Sequence, residues 1–216
     1  DSKAVALQIV PGDILLKPGQ SLKLAVNKID QYGNVVEANV KADFAKYIPP
    51  TAKVKTQMKA AISANTITAS ADNFSSAGAF KATAGELSGL LRGRILPKIP
   101  YTQDFEGYDL KVDHAADGVK FAYPPLAWTG ARLKWEVRDL DGNKVFRKTL
   151  DRVLFQRAIT IFGDPESSNY TVQADLMTDG NRRIKGNVGV INQRYYITLV
   201  GNQQILEVSS NHERVK

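Results

Sequence analysis

The sequence has no cysteine, which excludes disulfide bonds, thiol catalysis and zinc held by cysteine. It has only two histidines, His114 and His212, which are far apart and in polar surroundings. A histidine metal site or a Ser-His-Asp triad is therefore not expected. Phosphate-binding glycine loops, nucleophile elbows and zinc spacings are also missing. No apolar run reaches about 18 residues, so no membrane span is predicted.

Acidic residues are fewer than basic ones, which leaves a net charge of +7. A basic excess can indicate binding to nucleic acid or to an anionic surface. The basic residues are scattered, however, and their densest group, Arg182, Arg183 and Lys185, lies in a predicted turn. We interpret the excess as a solvated basic surface and expect no nucleic-acid partner.

Apolar residues alternate with polar ones along most of the chain, and helical periodicity is almost absent. A period of two places one set of side chains in a core and the other in water, which is typical of β-strands. Turn signals separate the runs, as at Asp141-Gly142-Asn143. The fold class predicted is all-β, with two tandem antiparallel β-sandwiches. The alternating runs are Leu7–Ile9, Leu22–Val26, Val54–Ile62, Leu133–Val137, Tyr170–Leu176 and Tyr195–Leu199.

Two prolines stand within four residues at Pro97-Lys98-Ile99-Pro100, where they would stop a strand and stiffen a linker. The composition changes there, since both tryptophans and most tyrosines follow this point. The sequence therefore predicts two domains, residues 1–97 and residues 98–216.

The first domain carries a series of turn and strand motifs that resembles a bacterial immunoglobulin-like domain. The resemblance implies an immunoglobulin-like β-sandwich that acts as a spacer or adhesion module without catalytic residues. Phe44 or Tyr47 would replace the buried aromatic residue that the family usually has. The motifs are Leu7-x-Ile9-x-Pro11, Leu16-x-Pro18-Gly19-Gln20-Ser21, Asp30-x-Tyr32-Gly33-Asn34 and Gly78-Ala79-Phe80-Lys81-Ala82.

The second domain carries another ordered set of motifs and resembles a concanavalin-like (laminin-G-like) jelly roll. More narrowly, it resembles the module that follows pyrroloquinoline-quinone-type β-propeller repeats in exported proteins of planctomycete-like bacteria. The resemblance implies an exported location, in the periplasm or at the cell surface. The motifs are Tyr101-x-x-Asp104-Phe105-Glu106, Pro124-Pro125-Leu126-Ala127-Trp128, Gly163-Asp164-Pro165, Gly189-Val190-Ile191-x-Gln193-Arg194-Tyr195 and Leu199-x-Gly201-Asn202.

Such jelly rolls usually continue for several strands beyond the region that matches Leu206. We therefore expect either a truncated second sandwich or a sheet that another chain completes. An open sheet edge is a template for strand addition.

Two acidic motifs are candidate chemical sites. Asp104 and Glu106 would share one face of a strand, as the two carboxylates of a concanavalin-like glycosidase do, although an edge strand with solvated or turn-bound carboxylates is favoured. Asp139, Asp141 and Asn143 offer oxygen ligands at alternate positions, which could suit calcium. A hairpin turn between strands 133–138 and 144–149 explains the same residues, so no cofactor is expected and calcium is the alternative.

Aromatic residues beside polar ones indicate a ligand site. Trp128 follows two prolines in a predicted loop and is the better candidate for stacking on a sugar, whereas Trp135 alternates with core residues. Tyr195 and Tyr196 would point to opposite faces of a strand, so at most one is free for a ligand, with Gln193 and Arg194 beside it.

These features favour a non-catalytic module that binds carbohydrate or protein within an exported multidomain bacterial protein. The first alternative is a subunit of a larger cell-envelope or membrane-associated assembly, and the second is a glycan-acting enzyme. We expect no enzymatic activity and no membrane span, with other protein domains or subunits as partners.

Overall fold

The computed structural model describes residues 3–113, 118–149, 157–181 and 184–210, and for Asp113 only the backbone. These residues form no helix and arrange their strands in several sheets, so the all-β prediction is confirmed. Among them there is consequently no helix long and apolar enough to cross a membrane. His114, His212, Arg182 and Arg183 lie outside the described residues.

The chain packs as two compact units, Asp1–Asp164 and Pro165–Lys216. The predicted domain boundary at 97/98 falls inside the first unit. The two units describe how the chain packs and do not test where its domains begin and end. The domain boundary at 97/98 therefore stays a prediction.

Ten strands build the amino-terminal part of the first unit. They pair in the orders β1-β4-β5, β3-β8-β7 and β2-β10-β9-β6. All pairs are antiparallel except β2 with β10, which are parallel. The strands are β1 (Ala6–Val10), β2 (Asp13–Leu16), β3 (Ser21–Lys23), β4 (Ala25–Ile29), β5 (Val35–Glu37), β6 (Asp43–Tyr47), β7 (Ala60–Ser63), β8 (Thr66–Ala69), β9 (Ser76–Ala84) and β10 (Leu87–Ile95).

The alternation in these strands produces the core. In β1, Leu7 and Ile9 are buried while Gln8 and Val10 are exposed. Side chains from all three sheets meet in one cluster, which includes Leu16, Val26 and Ile67. Phe44 packs partly buried against this cluster, whereas Phe80 is the aromatic residue buried within it.

The predicted run Val54–Ile62 forms a strand only at its end, in β7. Strands also need a paired neighbour, which alternation alone does not supply.

The described residues in the rest of the first unit form four strands, β11 (Val112–Asp113), β12 (Lys120–Phe121), β13 (Trp135–Leu140) and β14 (Asn143–Lys148). The hairpin of β13 and β14 confirms the predicted turn. Asp141 and Gly142 both have positive φ, 54° and 89°, which is the backbone of a tight two-residue hairpin turn.

The second unit contains a three-stranded antiparallel sheet of β15 (Asn187–Asn192), β16 (Tyr195–Val200) and β17 (Ile205–Ser210). Its strand register places six apolar residues on one face, here called the apolar face: Val188, Val190, Ile197, Leu199, Leu206 and Val208. The predicted strand over Tyr170–Leu176 is wrong, because these residues are outside the strands.

Candidate functional site

Trp128 lies in a turn, as its two preceding prolines predict, but its ring is buried with 8% of the residue exposed. One face stacks on Phe162 at 4.2 Å between ring centroids, and Phe105 and Phe146 pack edge-on. These partners come from distant parts of the sequence. Trp128 therefore belongs to an aromatic core rather than to an exposed stacking surface, a correction to its expected role.

Trp135 belongs to the same aromatic cluster, in agreement with its predicted place in the core. Its ring is parallel to that of Phe146, with the centroids 4.7 Å apart. Its Nε1 atom is buried and has no hydrogen-bond partner within the described part of the chain. The cluster thus uses both tryptophans for packing.

Asp104 and Glu106 do not lie on a strand. The Asp104 carboxylate accepts a hydrogen bond from the Glu106 backbone N at 3.1 Å, and Phe105 between them has a φ of 63°. The Glu106 carboxylate accepts from the Lys144 backbone N at 2.8 Å. The alignment on one strand face that the enzyme alternative needs is therefore not formed. The Asp104 carboxylate holds its own turn, and the Glu106 carboxylate ties that turn to β14.

Asp139, Asp141 and Asn143 surround the tip of the β13–β14 hairpin. The Asp139 carboxylate accepts a hydrogen bond from the Gly142 backbone N at 3.2 Å, so it supports the turn. The described residues contain no group of three or more His, Cys, Asp or Glu side chains that could hold a metal ion. Calcium binding at this hairpin stays a prediction.

Tyr195 begins β16, directly after the two-residue turn of Gln193 and Arg194, and 42% of it is exposed. Arg194 packs on Tyr195, with its guanidinium carbon 5.1 Å from the ring centroid, and its Nη2 donates to the Tyr195 hydroxyl at 3.0 Å. The arginine therefore orients the ring. Tyr196 is half-buried on the opposite face of the sheet, as the alternation predicts.

A cleft of ≈ 510 Å³ opens at Tyr195, entirely within the second unit. Its polar lining is made of amide side chains, Asn169, Asn192 and Gln193. A second ring, that of Tyr170, lines it too, as do Ile197 and Val208 of the apolar face. The Gln193 amide donates to the Ser167 carbonyl at 3.4 Å, which ties the turn to the preceding segment.

This cleft combines two aromatic rings with neutral donors and acceptors and has no carboxylate in its lining. Each amide offers both two N–H donors and a carbonyl acceptor. Such a surface suits a ligand that presents hydroxyl groups and apolar ring faces. Sequence reasoning identified Arg194, Tyr195 and Gln193, but it missed Asn169 and Tyr170, which only folding brings near them.

No protein-family model matches the chain, and no curated protein sequence is significantly similar to it.

Proposed function

We propose that this chain is a non-catalytic binding module of an exported multidomain bacterial protein, and that its cleft at Tyr195 binds carbohydrate. The observation that carries this proposal is the half-exposed Tyr195 ring, oriented by Arg194 at a cleft lined with amide side chains. Sugar rings stack on aromatic faces, and their hydroxyls pair with amide groups. The exported location rests on the resemblance of the sequence motifs alone.

The non-catalytic part of the proposal is supported by the engagement of Asp104 and Glu106 in turns. A glycosidase of the retaining type needs two carboxylates about 5 Å apart that face one substrate. Carboxylates that already accept backbone hydrogen bonds are suited to holding loops.

Titration calorimetry with soluble cello-, xylo-, manno- and chito-oligosaccharides tests the carbohydrate site. We expect at least one series to bind, and Tyr195→Ala to weaken binding about fivefold to tenfold, because aromatic contacts contribute about 1 kcal/mol beyond buried area. The matched control is Tyr32→Ala, because Tyr32 is 79% exposed and lies in the other unit.

Thermal melting should show that both variants stay folded. The proposal fails if no oligosaccharide binds, or if Tyr195→Ala binds as tightly as the parent protein.

A second candidate function is that of a subunit in a larger cell-envelope assembly. The observation that favours it is the apolar face, on which Leu206 and Val208 are 62% and 63% exposed. Contiguous exposed apolar surface is typical of protein–protein contacts. The partner subunit would cover this face with a sheet of its own.

A further inference from the structure

A second cleft, of ≈ 330 Å³, lies within the first unit. One wall is formed by residues 54–59 and 75–77, which belong to the amino-terminal sandwich. The other wall is formed by Tyr108 and residues 123–127. Clefts where two packed parts of a chain meet are frequent ligand sites, and this volume is at the lower end of their range, which begins at about 300 Å³.

Four polar side chains line this cleft without a hydrogen-bond partner in the described part of the chain: Gln57, Ser75, Tyr108 and Tyr123. Together they supply three hydroxyls and one amide, so donors and acceptors are both present. Side chains that hydrogen-bond to one another would have less capacity to bind a ligand. These four side chains can donate or accept hydrogen bonds with a ligand in the cleft.

The wall that carries the tyrosines is rigid. Pro124 and Pro125 are buried, and their rings fix the backbone that follows Tyr123. The Tyr108 ring packs on Phe105 at 6.1 Å between centroids, and the Tyr123 ring packs edge-on against Phe121 at 5.3 Å. Both hydroxyls are therefore held in place before any ligand arrives, which lowers the entropy lost on binding.

The cleft keeps the Tyr108 hydroxyl neutral. Burial, and to a smaller extent the neighbouring Tyr101, raises the pKa of Tyr108 to about 12. Lys59 lines the same cleft, and its ammonium lies 4.2 Å from the centroid of the Phe74 ring. No Asp or Glu takes part in the lining. The cleft thus presents neutral groups and one cation.

We propose that this cleft is a second carbohydrate site, which takes one sugar residue between Tyr108, Tyr123 and Gln57. A proline-rich peptide would use the aromatic and proline walls but would leave most of the free hydroxyls and the amide unpaired. A sugar residue presents several hydroxyls over this short distance and can satisfy them. This cleft and the Tyr195 cleft belong to different units and share no lining residue.

The test uses the full chain with Tyr195→Ala, so that the Tyr195 cleft contributes as little as possible. Saturation-transfer NMR with the same four oligosaccharide series detects weak binding. We expect signals from at least one series, and a dissociation constant raised about 25-fold by Gln57→Ala with Tyr123→Phe, because each of the two lost hydrogen bonds weakens binding about fivefold. The matched control is Gln8→Ala with Tyr32→Phe, both exposed elsewhere in the first unit.

Saccharide binding that persists in Tyr195→Ala and weakens with the cleft variant supports the second site. This holds whether or not the Tyr195 cleft itself binds saccharide. Loss of all saccharide binding on Tyr195→Ala alone overturns it and leaves the first site standing. Binding that the cleft variant and its control affect equally overturns it too. Binding of a polyproline peptide at this cleft, without binding of any oligosaccharide, also overturns the second site.

Discussion

At the scale of single residues, Asp30 shows how one buried carboxylate holds a turn. It is 3% exposed and directly follows β4, where the chain reverses into β5. Its carboxylate accepts hydrogen bonds from the backbone N of Tyr32 and of Asn34, both at 2.9 Å, and from the Asn34 side chain at 3.1 Å. A buried charge is tolerated here because several donors surround it.

We therefore expect Asp30→Ala to lower the free energy of unfolding by about 2 kcal/mol, since hydrogen bonds to a charged group contribute about 1.5–3 kcal/mol. Urea unfolding followed by circular dichroism measures this change. Asp72→Ala is the control, because Asp72 makes a comparable turn contact with Ser70 on the surface. An equal loss of stability in the two variants would contradict the prediction.

Single residues also show how much of the candidate site could be predicted from the sequence. The pair Arg194 and Tyr195 could be chosen in advance because they are neighbours, and alternation separates Tyr195 from Tyr196. The burial of Trp128 could not be predicted, because Phe105 and Phe162 contact its ring only after folding. Tyr108 and Tyr123 were missed for the same reason, since no local pattern links them to Gln57.

At the scale of elements, β13 is buried on both faces. Alternation places Trp135 and Val137 inside and predicts that Glu136 and Arg138 face water. Instead Glu136 is 2% and Arg138 is 8% exposed, and they form an ion pair with each other. Neighbouring segments cover both sides of the strand, and the paired charges make this burial possible.

Arg138→Ala should lower the free energy of unfolding by about 3–5 kcal/mol, because it removes the cation that pairs with the buried Glu136 carboxylate across β13. Lys28→Ala is the control, since the Lys28–Glu37 pair is largely exposed and should lose less than about 1 kcal/mol. Chemical denaturation of both variants measures the difference. If the two losses are similar, the ion pair at β13 does not stabilise the first unit.

Strand prediction succeeded where alternation coincided with a nearby partner. The β13–β14 hairpin follows from two predicted strands joined by a two-residue turn, and the run Tyr195–Leu199 lies within β16. Residues 54–58 and 170–176 alternate equally well, yet neither segment pairs as a strand. Pairing of non-neighbouring strands, such as β2 with β10, depends on contacts distant in sequence.

At the scale of the whole molecule, the two units differ in what they bury. All the buried apolar side chains of the described residues lie in the first unit, from Leu7 to Val137. The described part of the second unit has a sheet with an apolar face but buries none of its large apolar side chains. A three-stranded sheet gains independent stability from packing an apolar face. The second unit therefore gains most from a partner that covers this face.

We expect the purified chain to associate with itself reversibly at high concentration, because a second copy offers the same apolar face. Val208→Lys places a charge on that face, on the edge strand β17, and should shift the population to monomer. Val36→Lys is the control, since Val36 is 45% exposed on β5 of the first unit. Native mass spectrometry and light scattering across a dilution series measure the populations. A parent chain that is folded and monomeric at every concentration, and as soluble as Val208→Lys, would argue that this face needs no covering and that the assembly function is wrong.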